Sequence, residues 1–225
     1  MGGLYLGIDV GTGGVRACAI DPQGGIRGFA SIALPAPRVD GNAIDQNPEL
    51  WWQAAAAAIR KLGETVGLGD VTRIVVDGTS GTLLLVDAAG RPCSPGLMYN
   101  DARATHEAAR VAAVAPRESG AHGASSALAK LLYLQNDGYI GDARHAVHQA
   151  DWIAGRLANH HAISDENNAL KLGYDPVARA WPSWLDQLGV RDDLLPEVLV
   201  PGTAFSEMDP QVARSLGLPA TAHVA

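Results

Sequence analysis

The sequence predicts a mixed α/β domain whose sheet opens with a three-stranded antiparallel meander and which carries an added helical region. Three observations point there: period-two apolar alternation at the start, a capped amphipathic helix after it, and a β-branched run that returns the chain to strand. Composition agrees. The 225 residues are enough for one large unit or two small ones, and 47% hydrophobic against 18% charged residues favours a packed core over disorder.

The elements follow in order. Leu4, Leu6, Ile8 and Val10 alternate with Tyr5, Gly7 and Asp9, which is the period of a strand. Gly11-Thr12-Gly13-Gly14 turns the chain, 15–20 returns, and Asp21-Pro22-Gln23-Gly24-Gly25 turns it again into a third strand over 26–34. Pro35, Pro37 and Gly41 mark a loop. Asn47-Pro48-Glu49 is a helix start, with a side-chain cap, proline at the first helical position and an acid in the first turn. Trp51, Ala55, Ile59 and Leu62 recur at helical spacing, the alanine string 54–58 gives a closely packed face, and Gly63 is placed to stop the helix. The run 71–76 reads as a buried strand and 83–86 as another, closed by the turn Asp87-Ala88-Ala89-Gly90. Beyond Pro95 the pattern turns helical, at 102–113, 126–135, 151–159 and 184–188, with a short strand near 146–149. The expectation is a βββαβ core followed by a helical insertion.

Net charge is −7, which argues against a broad electrostatic footprint for nucleic acid or an anionic membrane. Phosphate ligands stay open, because backbone N–H groups and a metal ion hold phosphate without a basic surface. Cys18 and Cys93 form no CxxC pair, so neither a disulfide framework nor a zinc knuckle is indicated. The start of the chain lacks a basic leader with a long apolar stretch, and no run approaches about 18 apolar residues. A cytoplasmic location is the expectation.

Three motifs carry chemistry. In Gly7-Ile8-Asp9-Val10-Gly11-Thr12-Gly13-Gly14-Val15-Arg16, a carboxylate near a strand end precedes a glycine-rich turn. Magnesium takes one or two carboxylates plus phosphate oxygens and waters, and glycine lets backbone approach phosphate closely. The string is no dinucleotide fingerprint, since Arg16 stands where the third glycine belongs and a strand follows, and it has no P-loop lysine. On its own it reads equally as an ordinary hairpin turn with Asp9 exposed. Asp77-Gly78-Thr79-Ser80-Gly81-Thr82 places small hydroxyl residues and glycines at a strand end, suited to a polyol or simply to a tight connection. In Met98-Tyr99-Asn100-Asp101-Ala102-Arg103, Asp101 suits a helix cap, or a sugar-binding carboxylate held by Arg103.

Taken in order, these blocks closely resemble the FGGY carbohydrate kinases, a family that includes xylulokinases, ribulokinases and glycerol kinases. The resemblance continues through Ser126-Ala127-Leu128-Ala129-Lys130-Leu131-Leu132-Tyr133-Leu134, Asp151-Trp152-Ile153-Ala154-Gly155-Arg156-Leu157 and the run 164–175, covering essentially the whole chain. The forms of 81–87, 98–104 and 165–175 look most like the D-ribulose kinase branch, also labelled xylulokinase-like. Tyr99 stands where other members usually carry tryptophan, and Gly81-Thr82-Leu83-Leu84 where they carry Gly-Gln-Met-His. These departures favour D-ribulose over D-xylulose.

The resemblance implies a ribonuclease-H-like domain of the actin/hexokinase-like ATPase kind, the N-terminal, sugar-binding half of a two-domain kinase using ATP and Mg2+. By the same resemblance Asp9 holds magnesium through water, and Gly11, Thr12, Gly13 and Gly14 face the ATP phosphates, with Thr12 beside the transferring phosphoryl group. Ser80, Gly81 and Asp101 face the sugar. The family's general base is a further aspartate in a Gly-Thr-x-Asp-like segment. No residue here matches it, so it is expected beyond Ala225, with the adenine-binding C-terminal domain as the partner that completes the site. The 225 residues alone are expected to bind sugar without turning it over, and a homodimeric parent is left open.

The seven histidines show no metal-ligand spacing and read as structural or solvated, with His145 and His148 on a strand; the five tryptophans read mainly as packing. Two rival functions share the same fold: a non-catalytic sugar-responsive regulator and an actin- or Hsp70-like ATPase. The first wants a helix-turn-helix leader or a cysteine-rich motif, and the second does not explain Tyr99-Asn100-Asp101-Ala102-Arg103.

Overall fold

The computed structural model describes residues 3–225. The opening meander is present as β1 (Leu4–Gly11), β2 (Gly14–Ile20) and β3 (Ile26–Ala33), antiparallel in register Asp9↔Arg16 and Gly11↔Gly14. A hairpin then intervenes, β4 (Arg38–Asp40) and β5 (Ala43–Gln46), where the sequence suggests only a loop. Gly41, at φ +57, takes the first position of its two-residue turn, a left-handed place that glycine fills without strain.

Helix α1 (Pro48–Gly63) begins as expected, with the Asn47 side chain accepting from Glu49 N–H. Trp51, Ala55, Ile59 and Leu62 are fully buried. Gly63 is the last helical residue but not a left-handed cap. The next residue, Glu64, stays in the right-handed region, and the chain closes through Thr65 and Val66 N–H bonds to the Leu62 carbonyl. Gly63 is small for another reason, because a Cβ there would meet Leu68 Cδ1 at 3.3 Å.

Strand β6 (Val71–Gly78) runs parallel to β1, pairing Asp9↔Asp77 and Val10↔Gly78. Together with β12 (Ser206–Glu207) and β13 (His223–Val224) these strands form a six-stranded sheet in the order β12-β13-β6-β1-β2-β3. Helices α1, α4 (Gln149–Ala158) and α6 (Pro210–Leu216) share one apolar core with it. The opposite face exposes Tyr5, Phe29 and Val75, so β6 is buried on one side only, unlike the expected fully buried strand.

The remaining segment is less helical than expected. Strands β7 (Leu83–Val86), β8 (Gly96–Leu97) and β9 (His145–His148) join β4 and β5 in a second sheet, order β4-β5-β8-β7-β9. Strand β7 thus leaves the first sheet. Its residues Leu83–Val86 are all fully buried, Leu83 and Leu85 in a second core under α2 (Thr105–Val114) and α3 (Ala127–Asn136), and Leu84 and Val86 in the first. A parallel pair, β10 (Ile163–Asp165) and β11 (Glu197–Leu199), a short α5 (Glu166–Ala169) and several 3-10 turns complete the chain. The expected helix at 184–188 is one of those turns, Ser183–Leu188.

Candidate functional site

Strands β1 and β6 end together at one edge of the first sheet. Ligands of open α/β sheets bind beyond the carboxyl ends of parallel strands, and this is such an edge. Asp9 projects from β1 with half of its side chain exposed and receives Arg16 Nη1 at 2.6 Å from the facing strand. Asp77 lies level with it on β6 and accepts from its own neighbour Gly78 N–H at 2.8 Å. Among the described residues no group of three or more His, Cys, Asp or Glu forms a cage for a metal. An exposed carboxylate beside a second one suits an ion that draws its other ligands from phosphate and water.

The turn after β1 consists of Thr12 and Gly13, flanked by the Gly11↔Gly14 pair. None of these glycines sits in the left-handed region. Gly14 is required by packing, since a Cβ would lie 2.7 Å from the Ile32 carbonyl oxygen. Gly13 has no neighbour within 4 Å of where a Cβ would stand, so neither backbone strain nor packing in this chain demands glycine there. An open, side-chain-free tip next to a carboxylate is what close approach by an outside group requires.

One residue past Asp77, Gly78 touches α4: a Cβ would meet Ala150 Cβ and the Val10 oxygen, each at 3.4 Å. The chain then turns through exposed Ser80 and buried Gly81, the latter at φ +84. Thr82 Oγ1, at the end of the turn, is buried without a hydrogen-bond partner, as is Nε2 of His148 in the adjoining β9 residue. His148 Nδ1 lies 3.2 Å from Asp151, whose carboxylate also accepts from Ser164 Oγ at 2.7 Å and Asn168 Nδ2 at 3.0 Å.

Asp101 requires a correction. It is neither a helix cap, since α2 starts at Thr105, nor open to a ligand, since it is 0% exposed. Its oxygens accept from Ile44 N–H at 2.6 Å and from Arg103 Nε at 2.9 and 3.1 Å. Arg103 continues to Asp45 at 2.5 Å, and Asp45 to Arg38 Nε at 2.9 Å. Burial opposes the charge on Asp45, yet the hydrogen bonds from Arg38 and Arg103 outweigh it and hold the carboxyl below its ordinary pKa. Burial likewise opposes the Arg103 charge, and Asp101 and Asp45 more than reverse that. Asp101 therefore anchors the 98–103 segment onto β5, leaving Tyr99 and Asn100 exposed.

Sequence reasoning missed Lys130. It lies fully buried in α3, with Nζ donating to the Gly81 and Met98 carbonyls, both at 2.7 Å. The signal was present: one lysine inside the apolar run Ala127-Leu128-Ala129-Lys130-Leu131-Leu132 is a charge with no route to water. The bond pair joins two predicted sugar-side segments, whereas Asp9 and the 11–14 turn belong to β1, the strand beside β6. A cavity of about 660 Å³ lies elsewhere, lined by Tyr174, Trp181, Asp186 and Glu197 among others. It contains no residue of the 7–16, 77–82 or 98–103 motifs.

Residues 4–225 match the N-terminal domain of the FGGY family of carbohydrate kinases. The xylulose kinase of Escherichia coli (strain K12) is 25% identical over 222 residues, covering 96% of this chain and 46% of that protein. The erythritol kinase of Brucella abortus (strain 2308) is 27% identical over 96% of this chain and 44% of its own length. The chain thus spans about half the length of the curated relatives it matches. Among solved structures, the ligand-bound xylulose kinase from Lactobacillus acidophilus aligns with a TM-score of 0.88 at 19% identity, over 98% of this chain and 46% of that one. That likeness confirms the expected mixed α/β fold of the actin/hexokinase-like kind. The chain belongs to the FGGY family of carbohydrate kinases and corresponds to its N-terminal domain.

Proposed function

We propose that this chain is the sugar-binding half of a kinase that phosphorylates a small sugar with ATP, a ketopentose such as D-ribulose ahead of D-xylulose. One observation carries the reading. The Asp9 hairpin and the Ser80–Gly81 turn leave adjacent parallel strands at the same edge, in register Asp9↔Asp77 and Val10↔Gly78. Neighbouring strands lie about 4.8 Å apart, so a phosphate held at one turn and a hydroxyl held at the other are within reach of each other.

In this reading Asp9 orients a hydrated magnesium ion, for which its exposed carboxylate is suited. The tip formed by Gly11, Thr12, Gly13 and Gly14 admits the ATP phosphates, with Thr12 beside the group in transfer. Ser80 and Gly81 meet the sugar, and Asp101 sets the position of that wall from beneath. Bound Mg2+ and ATP supply the phosphoryl group and neutralise its charge; the protein's part is positioning, which is most of what phosphoryl transfer needs.

The proton of the attacking hydroxyl goes to an aspartate that we place beyond Ala225, followed by a C-terminal domain completing the nucleotide site. Strand β13 supports this placement. It pairs Val224↔Ile74 parallel to β6, so continuing in register it would come level with Asp77, and hence with Asp9, three residues later. Calorimetric titration of the chain with D-ribulose, D-xylulose and pentitols tests the sugar half, with ketopentose binding in the absence of ATP expected. No binding of any pentulose or pentitol contradicts it. A coupled assay separates the halves, since the reading predicts background turnover from these 225 residues.

A further inference from the structure

We propose that Lys130 is a positioning residue of the sugar site, its side-chain amine tying the Gly81 turn to the Met98–Asp101 segment and setting the spacing between them. The inference rests on the sugar-side reading above. Helix α3 is capped by the Ser126 hydroxyl, which accepts from Ala129 N–H, and it buries nearly every residue of its first two turns. Within that apolar stripe Lys130 is 0% exposed. A buried amine is costly to desolvate and persists only where it holds polar partners. Here the partners are backbone carbonyls from two segments remote in sequence, Gly81 and Met98, each at 2.7 Å.

Both carbonyls belong to the proposed sugar walls. Gly81 turns the chain after Ser80 in the left-handed region, and Met98 O also accepts Asp101 N–H at 2.9 Å. Asp101 is fixed in turn to Ile44 N–H and Arg103. Among the described residues the amine is thus the one α3 side-chain group hydrogen-bonded to both segments, and no carboxylate takes it as a direct partner. Burial pulls its pKa down to about 7, against the charge of Asp101 and with that of Arg103. A lysine serving α3 stability alone would be better replaced by leucine, which needs no partner.

The test is sugar affinity measured against fold stability. Lys130→Met keeps the length of the side chain and removes both donors; Leu134→Ala, four residues on in the same helix and fully buried, weakens α3 packing without touching either carbonyl. The expectation is at least a ~10-fold rise in the D-ribulose dissociation constant for Lys130→Met, and an unchanged constant for Leu134→Ala despite a lower Tm. Equal binding by folded Lys130→Met overturns the inference. Should that variant not fold, the wild-type chain still decides. It has three lysines, and Lys61 and Lys171 both reach solvent. In 15N spectra the Lys130 Nζ signal should be protected from exchange and should shift on adding D-ribulose, while the other two stay still. An unshifted Lys130 signal at saturating sugar overturns the inference. A wild-type chain that binds no ketopentose removes the sugar-site reading and the lysine's role together.

Discussion

The two walls of the candidate site are built on opposite principles. The Asp9 hairpin buries one apolar face, with Ile8, Val10 and Val15, and leaves its polar face half-exposed, with one surface ion pair between Asp9 and Arg16. The sugar-side wall hangs on charge that is mostly buried: Asp45, Arg103 and Asp101 in a chain closed at the surface by Arg38, with Lys130 bonded to the backbone beside it. The contrast fits what the proposed function asks of each side. A wall that receives phosphate and a metal needs room and an uncommitted oxygen. A wall that discriminates among polyols needs its backbone fixed, and buried charged networks fix geometry at the cost of fragility.

The comparison can be broken at either end. The largest effect is expected at Asp9. In the full-length kinase Asp9→Asn should lower kcat by about 10²–10³ while leaving sugar affinity intact, read by steady-state kinetics and calorimetry. A sugar-affinity loss of the same size would merge the two walls into one. Next comes Arg103→Met, which strands Asp101 as a buried carboxylate without a cationic partner, while Asp45 keeps Arg38. Breaking such a pair costs about 3–5 kcal/mol, measured by urea unfolding, and a loss under 1 kcal/mol would show the network to be dispensable.

Lys130 gives a pH signature of intermediate size. Its folded pKa of about 7 lies below the ordinary 10.5. Between those values the unfolded chain binds the extra proton, so stability rises with pH across the window and levels off at its lower value below about 7. Relative to Lys130→Met, wild-type stability should climb between pH 7 and 10 by at most about 1.4 kcal/mol per unit. A flat difference would contradict the assignment. The smallest effect is expected at Arg16→Met, where an exposed pair is worth about 0–1 kcal/mol and is screened by salt. A larger, salt-insensitive loss would mean that the hairpin is as tightly organised as its opposite wall.

Much of the first wall was legible in the sequence and less of the second. The meander, the Asn47-capped helix and the strand before Asp77 follow from local signals: alternation, capping chemistry and turn glycines. Those signals fix Asp9 and Asp77 at one edge as soon as β1 and β6 pair. The β4–β5 hairpin was hidden because Pro35, Pro37 and Gly41 suggest a loop, and only β5 reaches a third strand, through two pairs with 96–97 that no local pattern announces. Asp101 was misread for a related reason. Its role depends on Ile44, 57 residues away, so a nearby helix looked like its partner instead. Lys130 was the inverse case, an out-of-place charge visible in the sequence whose meaning appears only when Gly81 and Met98 converge on it.

The most direct measurement is a backbone amide map of the chain titrated with D-ribulose. The account predicts shifts concentrated at 79–82 and 98–101, with the Asp9 hairpin moving only when a magnesium–nucleotide complex is added. Sugar-dependent shifts centred on the Tyr174–Trp181 cavity, with 79–82 silent, would contradict it.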